Sequence, residues 1–363
     1  MTASTRMLRR PGLIALTLTV TFIVLWARLA PAQDVDANAA LFERYVEALR
    51  RSAHVPGISG VILRDGRPVW QRGFGLANVD ARVPATPDTL YDIASLTKTF
   101  TSTLLLQCVE RGTLSLDDRI ARYSAAIPEA TATVRHVLTH TSQGTPGAAY
   151  RYDGGRFAAL TSVVEACQAR PFRQALATLI LDRAAMTNSV PGHDLEQPTP
   201  SLAALFDVPT LGRYVSSVKR LALPYQTAGN DFAPAGYPPR DISASAGLLS
   251  SVVDLAKYDA AIDTNVFISP DSQALAWTNA VSTTGQVLPY GLGWFVQHER
   301  GVPLIWHYGQ WPQYSALYLK APDRHLTLIL LANSGGLSEA FPMADGDVMA
   351  SSFAKAFVRI FIP

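Results

Sequence analysis

Two β-hairpin signals at opposite ends of the chain constrain the fold more than any other feature. Ile58–Leu63 and Pro68–Leu76 are β-prone runs joined through Arg64-Asp65-Gly66-Arg67. Asp-Gly between such runs favours the tight turns whose twist matches that of paired strands. Tyr314–Lys320 and His325–Leu331 flank Ala321-Pro322-Asp323-Arg324, a second hairpin turn. Shorter strand signals at Gly293–Gln297 and Leu304–His307 precede it. Hairpin strands pair antiparallel and must bury a face against another layer, so both ends are expected in one antiparallel sheet.

Between the hairpins the chain reads as helices and long loops. A helix is expected from about Ser95 to Glu110, stopped at Arg111-Gly112, and Leu160–Ala166 has helical spacing. Val190–Arg240 is rich in Pro, Gly and Ser, yet its Leu, Phe and Tyr content points to packing and not to disorder. Two further helices would flank the sheet. Ala37–Arg51 puts Leu41, Phe42, Tyr45, Val46 and Leu49 on one face, and a last helix aligns Met349, Phe353, Phe357 and Ile360. The expected fold class is α+β: a sheet from about 37–80 and 285–363, with a mainly helical insertion at about 81–284.

Apolar residues make up 48% of the chain and charged residues 17%, which is a globular balance. Net charge is only +2, with no basic block after the first dozen residues, so a nucleic-acid partner is disfavoured. Arg6, Arg9 and Arg10 precede an apolar run from Leu13 to Ala27 and then Ala30-Pro31-Ala32. That order describes a secretory signal peptide over 1–32, with a mature chain starting near Gln33 and a periplasmic or secreted location. The alternative is an uncleaved membrane anchor, for which the run is shorter than the usual ~20 residues.

Cys108 and Cys167 have no C-x-x-C or zinc-like spacing, and two buried thiols are expected ahead of a disulfide. His136 and His140 have the i, i+4 spacing of a metal pair but no third ligand, and read as structural. No metal or other cofactor is called for. H-E-x-x-H, G-x-S-x-G, Walker and G-x-G-x-x-G patterns are all missing from the sequence.

The chemistry is carried by Ser95-Leu96-Thr97-Lys98. A serine at a helix start has a backbone N–H and the helix dipole directed at any anion that develops there. Residues at i and i+3 share a face, so the Lys98 amine can reach the Ser95 hydroxyl and activate it as a nucleophile. Alone, this tetrapeptide is equally an N-cap serine with a solvated lysine. Its surroundings add specificity. Thr89–Ala94 before the serine, Gly112–Asp118 after the helix, Leu138-Thr139-His140-Thr141-Ser142, Ala246–Ser250 with Asp254-Leu255-Ala256, and Tyr290-Gly291-Leu292-Gly293-Trp294 follow in order. With these, the chain resembles the serine β-lactamase and penicillin-binding-protein superfamily. The likeness is to its class C-like branch of β-lactamases, family VIII-type esterases and D-aminopeptidases, and it runs from about Val55 to Asn333.

The resemblance implies a β-lactamase/transpeptidase-like fold and an acyl-enzyme mechanism. It places the second catalytic element on Tyr152, with Tyr150 as rival, in Tyr150-Arg151-Tyr152-Asp153-Gly154. Tyr152 would act as a base through a phenolate favoured by the Lys98 charge. Gly154 stands where the family has an asparagine that donates to the acyl-amide side chain of β-lactams and peptides, which shifts weight towards carboxylic esters or small amides. Trp306-His307-Tyr308-Gly309-Gln310 resembles the family's third motif in its H-x-G form. Gly309 would let substrate approach the strand, and the Gln310 and Ser95 N–H groups would form the oxyanion hole. His307 would assist Tyr152 or hold a substrate carboxylate.

The two helices lead away from one site, so each cysteine would lie about 20 Å beyond it. That brings a bridge within reach without making it the expectation. The reading is therefore an exported serine hydrolase on small ester, amide or peptide substrates. Its alternatives are a class C-like β-lactamase or D-Ala-D-Ala carboxypeptidase or D-aminopeptidase, and a non-catalytic penicillin-recognising or peptidoglycan-binding protein.

Overall fold

The computed structural model describes residues 1–3, 31–229 and 231–362. The expected signal peptide lies almost wholly outside the described residues. Helix α1 (Pro31–Ser52) opens the folded chain. Seven strands form the main sheet: β1 (Gly57–Arg64), β2 (Arg67–Asn78), β3 (Val83–Pro84), β4 (Phe295–Glu299), β5 (Val302–Gln310), β6 (Ser315–Ala321) and β7 (Leu326–Ala332). Their order is β3-β2-β1-β7-β6-β5-β4, every pair antiparallel. The two ends of the chain meet where β1 pairs with β7, Val61 opposite Ile329 and Ile62 opposite Leu328.

Both faces of this sheet are covered. Strand side chains alternate, so Val61, Leu63, Ile329 and Leu331 enter the core beneath the helical part of the chain, while Ile58, Ile62, Leu328 and Leu330 face the terminal helices. This is why β7 reads as an almost unbroken apolar run, Leu-Thr-Leu-Ile-Leu-Leu-Ala, buried throughout. Each fully buried leucine there is worth about 1.5–3 kcal/mol over an exposed one. On the second face Phe42 and Val46 of α1 pack with Phe353 and Phe357 of the last helix. That helix runs over Ser352–Phe361, capped by the Ser351 hydroxyl, which accepts the Ala354 N–H. It starts later than the sequence stripe suggested: Met349 sits in the preceding turn, and Phe361 is the buried residue at the end in place of Ile360.

Helix α2 (Thr97–Glu110) runs through the centre, with every residue from Thr97 to Cys108 buried. Its hydroxyls are satisfied internally: Thr99 donates to the Leu96 carbonyl, Thr101 to Ala244 and Ser102 to Leu292. Helix α3 (Leu160–Gln168) lies beside it, and Gln168 Nε2 donates to the Leu104 carbonyl at 2.8 Å. The far ends of α2 and α3 are joined by a disulfide between Cys108 and Cys167, with Cα atoms 5.9 Å apart. The expected pair of free thiols is thus corrected. Two helices that leave one site side by side bring together cysteines 59 residues apart in sequence, a proximity that spacing alone does not encode. Val190–Arg240 packs as expected of its apolar content, with a helix at Val208–Val218 and a small hairpin, Tyr225–Ala228 with Asp231–Pro234.

Candidate active site

The segment before the nucleophile is tethered, then sharply bent. Tyr91–Asp92 pairs with Leu248–Ser250, and the next residues form a 3-10 turn, Ala94–Leu96, ahead of α2. Ser95 therefore sits on this turn and not inside the α-helix. Ala94 has φ +47°, the left-handed region that strains a residue with a Cβ. Asp92 Oδ1 accepts the Ala94 N–H at 2.7 Å, and the Ile93 carbonyl accepts the Leu96 N–H at 3.1 Å. Among the described residues no backbone carbonyl takes the N–H of Ser95 between them. Asp92 is buried without a cationic partner, and desolvation lifts its pKa to about 7.

Lys98, one turn further on, is fully buried, and its Nζ lies 2.8 Å from Ser95 Oγ. It also donates to the Ser245 carbonyl at 3.1 Å. Burial pulls its pKa from 10.5 down to about 7, with only the Asp153 carboxylate pulling the other way. Close to neutrality a large share of Lys98 is therefore free amine, able to accept the serine proton.

Tyr152 lines the same cleft, with its hydroxyl facing Ser95 beyond hydrogen-bond reach and without another partner. Its pKa is raised well above the ordinary value, first by burial and then by Tyr308. The Lys98 nitrogen stands over the Tyr152 ring, 5.2 Å from its centre, and not against its oxygen. Desolvation thus acts on both groups in opposite senses, opposing a phenolate on Tyr152 and favouring a neutral amine on Lys98. Tyr150, the rival, points elsewhere, its hydroxyl donating to the Ala344 carbonyl at 2.9 Å.

The opposite wall is the end of β5. A Cβ on Gly309 would lie 2.1 Å from the Ile93 carbonyl oxygen, so only glycine lets this strand press against the Ser95 turn. Gln310, Trp311 and Pro312 follow it into a cleft of about 470 Å³ that also contains Ser95, Tyr152 and Gly154. A Cβ on Gly154 would come within 3.7 Å of Lys98 Nζ, so a larger residue there would stand beside the lysine.

A model of the beta-lactamase family matches residues 42–349, most of the chain. The chain belongs to the beta-lactamase family. The family is one of serine hydrolases, and the fold is that of β-lactamases and penicillin-binding proteins. A penicillin-binding protein of Bacillus subtilis (strain 168) is 23% identical over 310 residues, covering 74% of this chain and 66% of the relative, just under two thirds of its length. The octameric penicillin-binding protein homologue from Pyrococcus abyssi superposes with a TM-score of 0.68 at 24% identity, over 81% of this chain and 73% of that one. A penicillin-binding protein from Bacillus halodurans gives 0.65 at 20% identity, over 80% and 95%.

In this beta-lactamase family member His307 has a narrower role than the sequence left open. The ring is completely buried and is not part of the cleft wall. Its Nδ1–H donates to the Tyr308 carbonyl at 2.7 Å, and its Nε2 accepts from the Tyr290 hydroxyl at 2.8 Å. Burial and the Lys98 charge lower its pKa to about 3, so it is neutral and cannot hold a carboxylate by charge. Its ring centre is 6.2 Å from that of Tyr152, which it supports by packing.

Further residues shape the site, among them the two histidines that the sequence marked as structural. His140 packs at a tilt against Tyr152, 4.3 Å between ring centres, and accepts the Asp153 N–H on Nδ1 at 3.2 Å, fixing the tyrosine loop. His136 instead caps a short helix through Thr133, so the i, i+4 pair serves two structural purposes. Arg156 clamps the same loop, ion-paired to Glu129 and donating to the Ser142 carbonyl at 3.0 Å. Ser245 supplies the carbonyl that holds Lys98. His140 and Tyr290 lay within recognisable motifs, but Ser245 and Arg156 carried no signal beyond their residue type.

Proposed function

We propose that the protein is an exported hydrolase that forms an acyl-enzyme on Ser95, acting on carboxylic esters or small amides. The observation that carries this reading is the buried Lys98 amine, 2.8 Å from Ser95 Oγ with a pKa near 7. Lys98 takes the Ser95 proton as Oγ bonds to the substrate carbonyl carbon. The backbone N–H groups of Ser95 and Gln310 receive the oxyanion. As the carbonyl re-forms, the bond to the leaving group breaks, and the leaving oxygen or nitrogen takes a proton from the protonated Tyr152, which the Lys98 ammonium reprotonates. Water then adds to the ester, gives a proton to Lys98, and the acid departs as Ser95 regains its hydrogen.

Gly154 supports the preference for esters, since it offers no side-chain amide to an acyl-amide substrate. The Cys108–Cys167 bridge supports export, because disulfides persist in oxidising compartments. No helix among the described residues is long and apolar enough to cross a membrane. The test is a panel of a p-nitrophenyl ester, nitrocefin and a D-Ala-D-Ala peptide, with Ser95→Ala as control. The ester should be turned over best and the serine variant should be inactive. Full activity of Ser95→Ala on the best substrate refutes the mechanism, and nitrocefin as by far the best substrate refutes the ester preference.

A further inference from the structure

The charges around the cleft bear on which esters it accepts. None of the ten residues that line it is an acid, a lysine, an arginine or a histidine. The amine nearest the scissile position, Lys98, is engaged with Ser95 and the Ser245 carbonyl. His307 is buried behind the cleft, does not line it, and is committed to Tyr290 and the Tyr308 carbonyl. Arg156 is neutralised by Glu129, and Arg151, beside Tyr152, is exposed and does not line the cleft.

The ionised groups that do act on the walls are acids. Asp153 acts on Lys98, and Asp345 acts on Tyr308. Glu339 stands on the Pro312 side: a Cβ on Gly335 would meet its carboxylate at 2.6 Å, and the Gly335 N–H donates to the Pro312 carbonyl at 2.9 Å. Beyond Lys98, whose amine is held by Ser95 and the Ser245 carbonyl, an anion entering this cleft loses water and gains no cation in exchange.

We infer that the cleft selects acyl donors with no free carboxylate near the scissile bond, taking neutral esters and amides over their anionic counterparts. The inference rests on the hydrolase reading above. It sets β-lactams and peptides with a free C-terminal carboxylate among the disfavoured substrates, since both bring an anion next to the reacting carbonyl.

The direct test compares methyl 4-acetoxybenzoate with 4-acetoxybenzoate, each enzymatic rate divided by the buffer hydrolysis rate of the same ester. The neutral ester should show the higher normalised kcat/KM by roughly tenfold or more, as like charges facing each other impose. A second arm uses Glu339→Lys, which reverses an exposed charge beside the Pro312 wall at a residue that does not line the cleft. That variant should hydrolyse the neutral ester within about twofold of the parent and close most of the gap for the anionic one, less so as salt is added. Equal or better turnover of the anionic ester by the parent protein overturns the inference while leaving the serine mechanism intact. So does a gap that Glu339→Lys does not narrow. Loss of both activities in the parent protein refutes the hydrolase reading and the charge selection with it.

Discussion

Replacing Lys98 with methionine should stabilise the protein while disabling it, because the folded state holds an amine where an ion is unwelcome. The ordinary lysine pKa of 10.5 falls to about 7 in the fully buried site. Between those values the unfolded chain binds more protons than the folded one, so stability rises with pH from 7 towards 10.5 and is lowest below 7. At ~1.4 kcal/mol per pKa unit, the penalty is ~5 kcal/mol at pH 6 and ~2 kcal/mol at pH 9. Methionine removes that penalty but leaves the Ser245 carbonyl without its donor, a loss of about 1–3 kcal/mol. Lys98→Met should therefore exceed the parent protein by about 2–4 kcal/mol at pH 6 and roughly match it at pH 9. Urea unfolding at the two pH values, with the disulfide intact, measures both differences. A variant less stable than the parent at pH 6, or a difference that stays constant between the two pH values, refutes the reasoning.

Three further outcomes are expected. If Lys98 is the base, kcat/KM for a neutral ester should rise with pH through a midpoint near 7 and fall tenfold per unit below it, as the amine becomes ammonium; a profile flat from pH 5 to 9 would assign the base elsewhere. Gly309→Ala puts a Cβ 2.1 Å from the Ile93 carbonyl oxygen, a clash between two backbones. It should displace the strand and lower kcat/KM by about 10²-fold or more, read from initial rates beside circular dichroism. The Cys108→Ser, Cys167→Ser double variant opens a loop spanning 59 residues and should lose about 2–4 kcal/mol in urea unfolding, against a parent protein measured with and without reductant.

The hairpins around Asp65-Gly66 and Pro322-Asp323 were legible because their turn chemistry and apolar alternation are local, and so was the i, i+3 pairing of Ser95 with Lys98. The details of proton traffic were not. Whether Lys98 or Tyr152 is the base depends on how completely each is desolvated and on what else touches it, such as the Ser245 carbonyl and the Asp153 charge beside Lys98, which come from segments distant from it in sequence. The neutral state of His307 has the same origin, since its partners Tyr290 and Tyr308 only become a buried shell once the sheet has formed. The disulfide was missed for a related reason: Cys108 and Cys167 meet through the parallel course of two helices, which neither cysteine's neighbours reveal.

The central pairing of β1 with β7 also sets a timetable. Gly57–Arg64 leaves the ribosome early, yet its inner neighbour is complete only when Ala332 has been made. Until then one full edge of the β1–β2 hairpin, with Ile58 and Ile62 beside it, has nothing to pair with. Folding of the central sheet must therefore await Leu326–Ala332, and until then the nascent β1–β2 hairpin keeps an open, sticky edge. Truncations that remove Leu326–Ala332 should accordingly yield not a smaller active enzyme but an aggregating one.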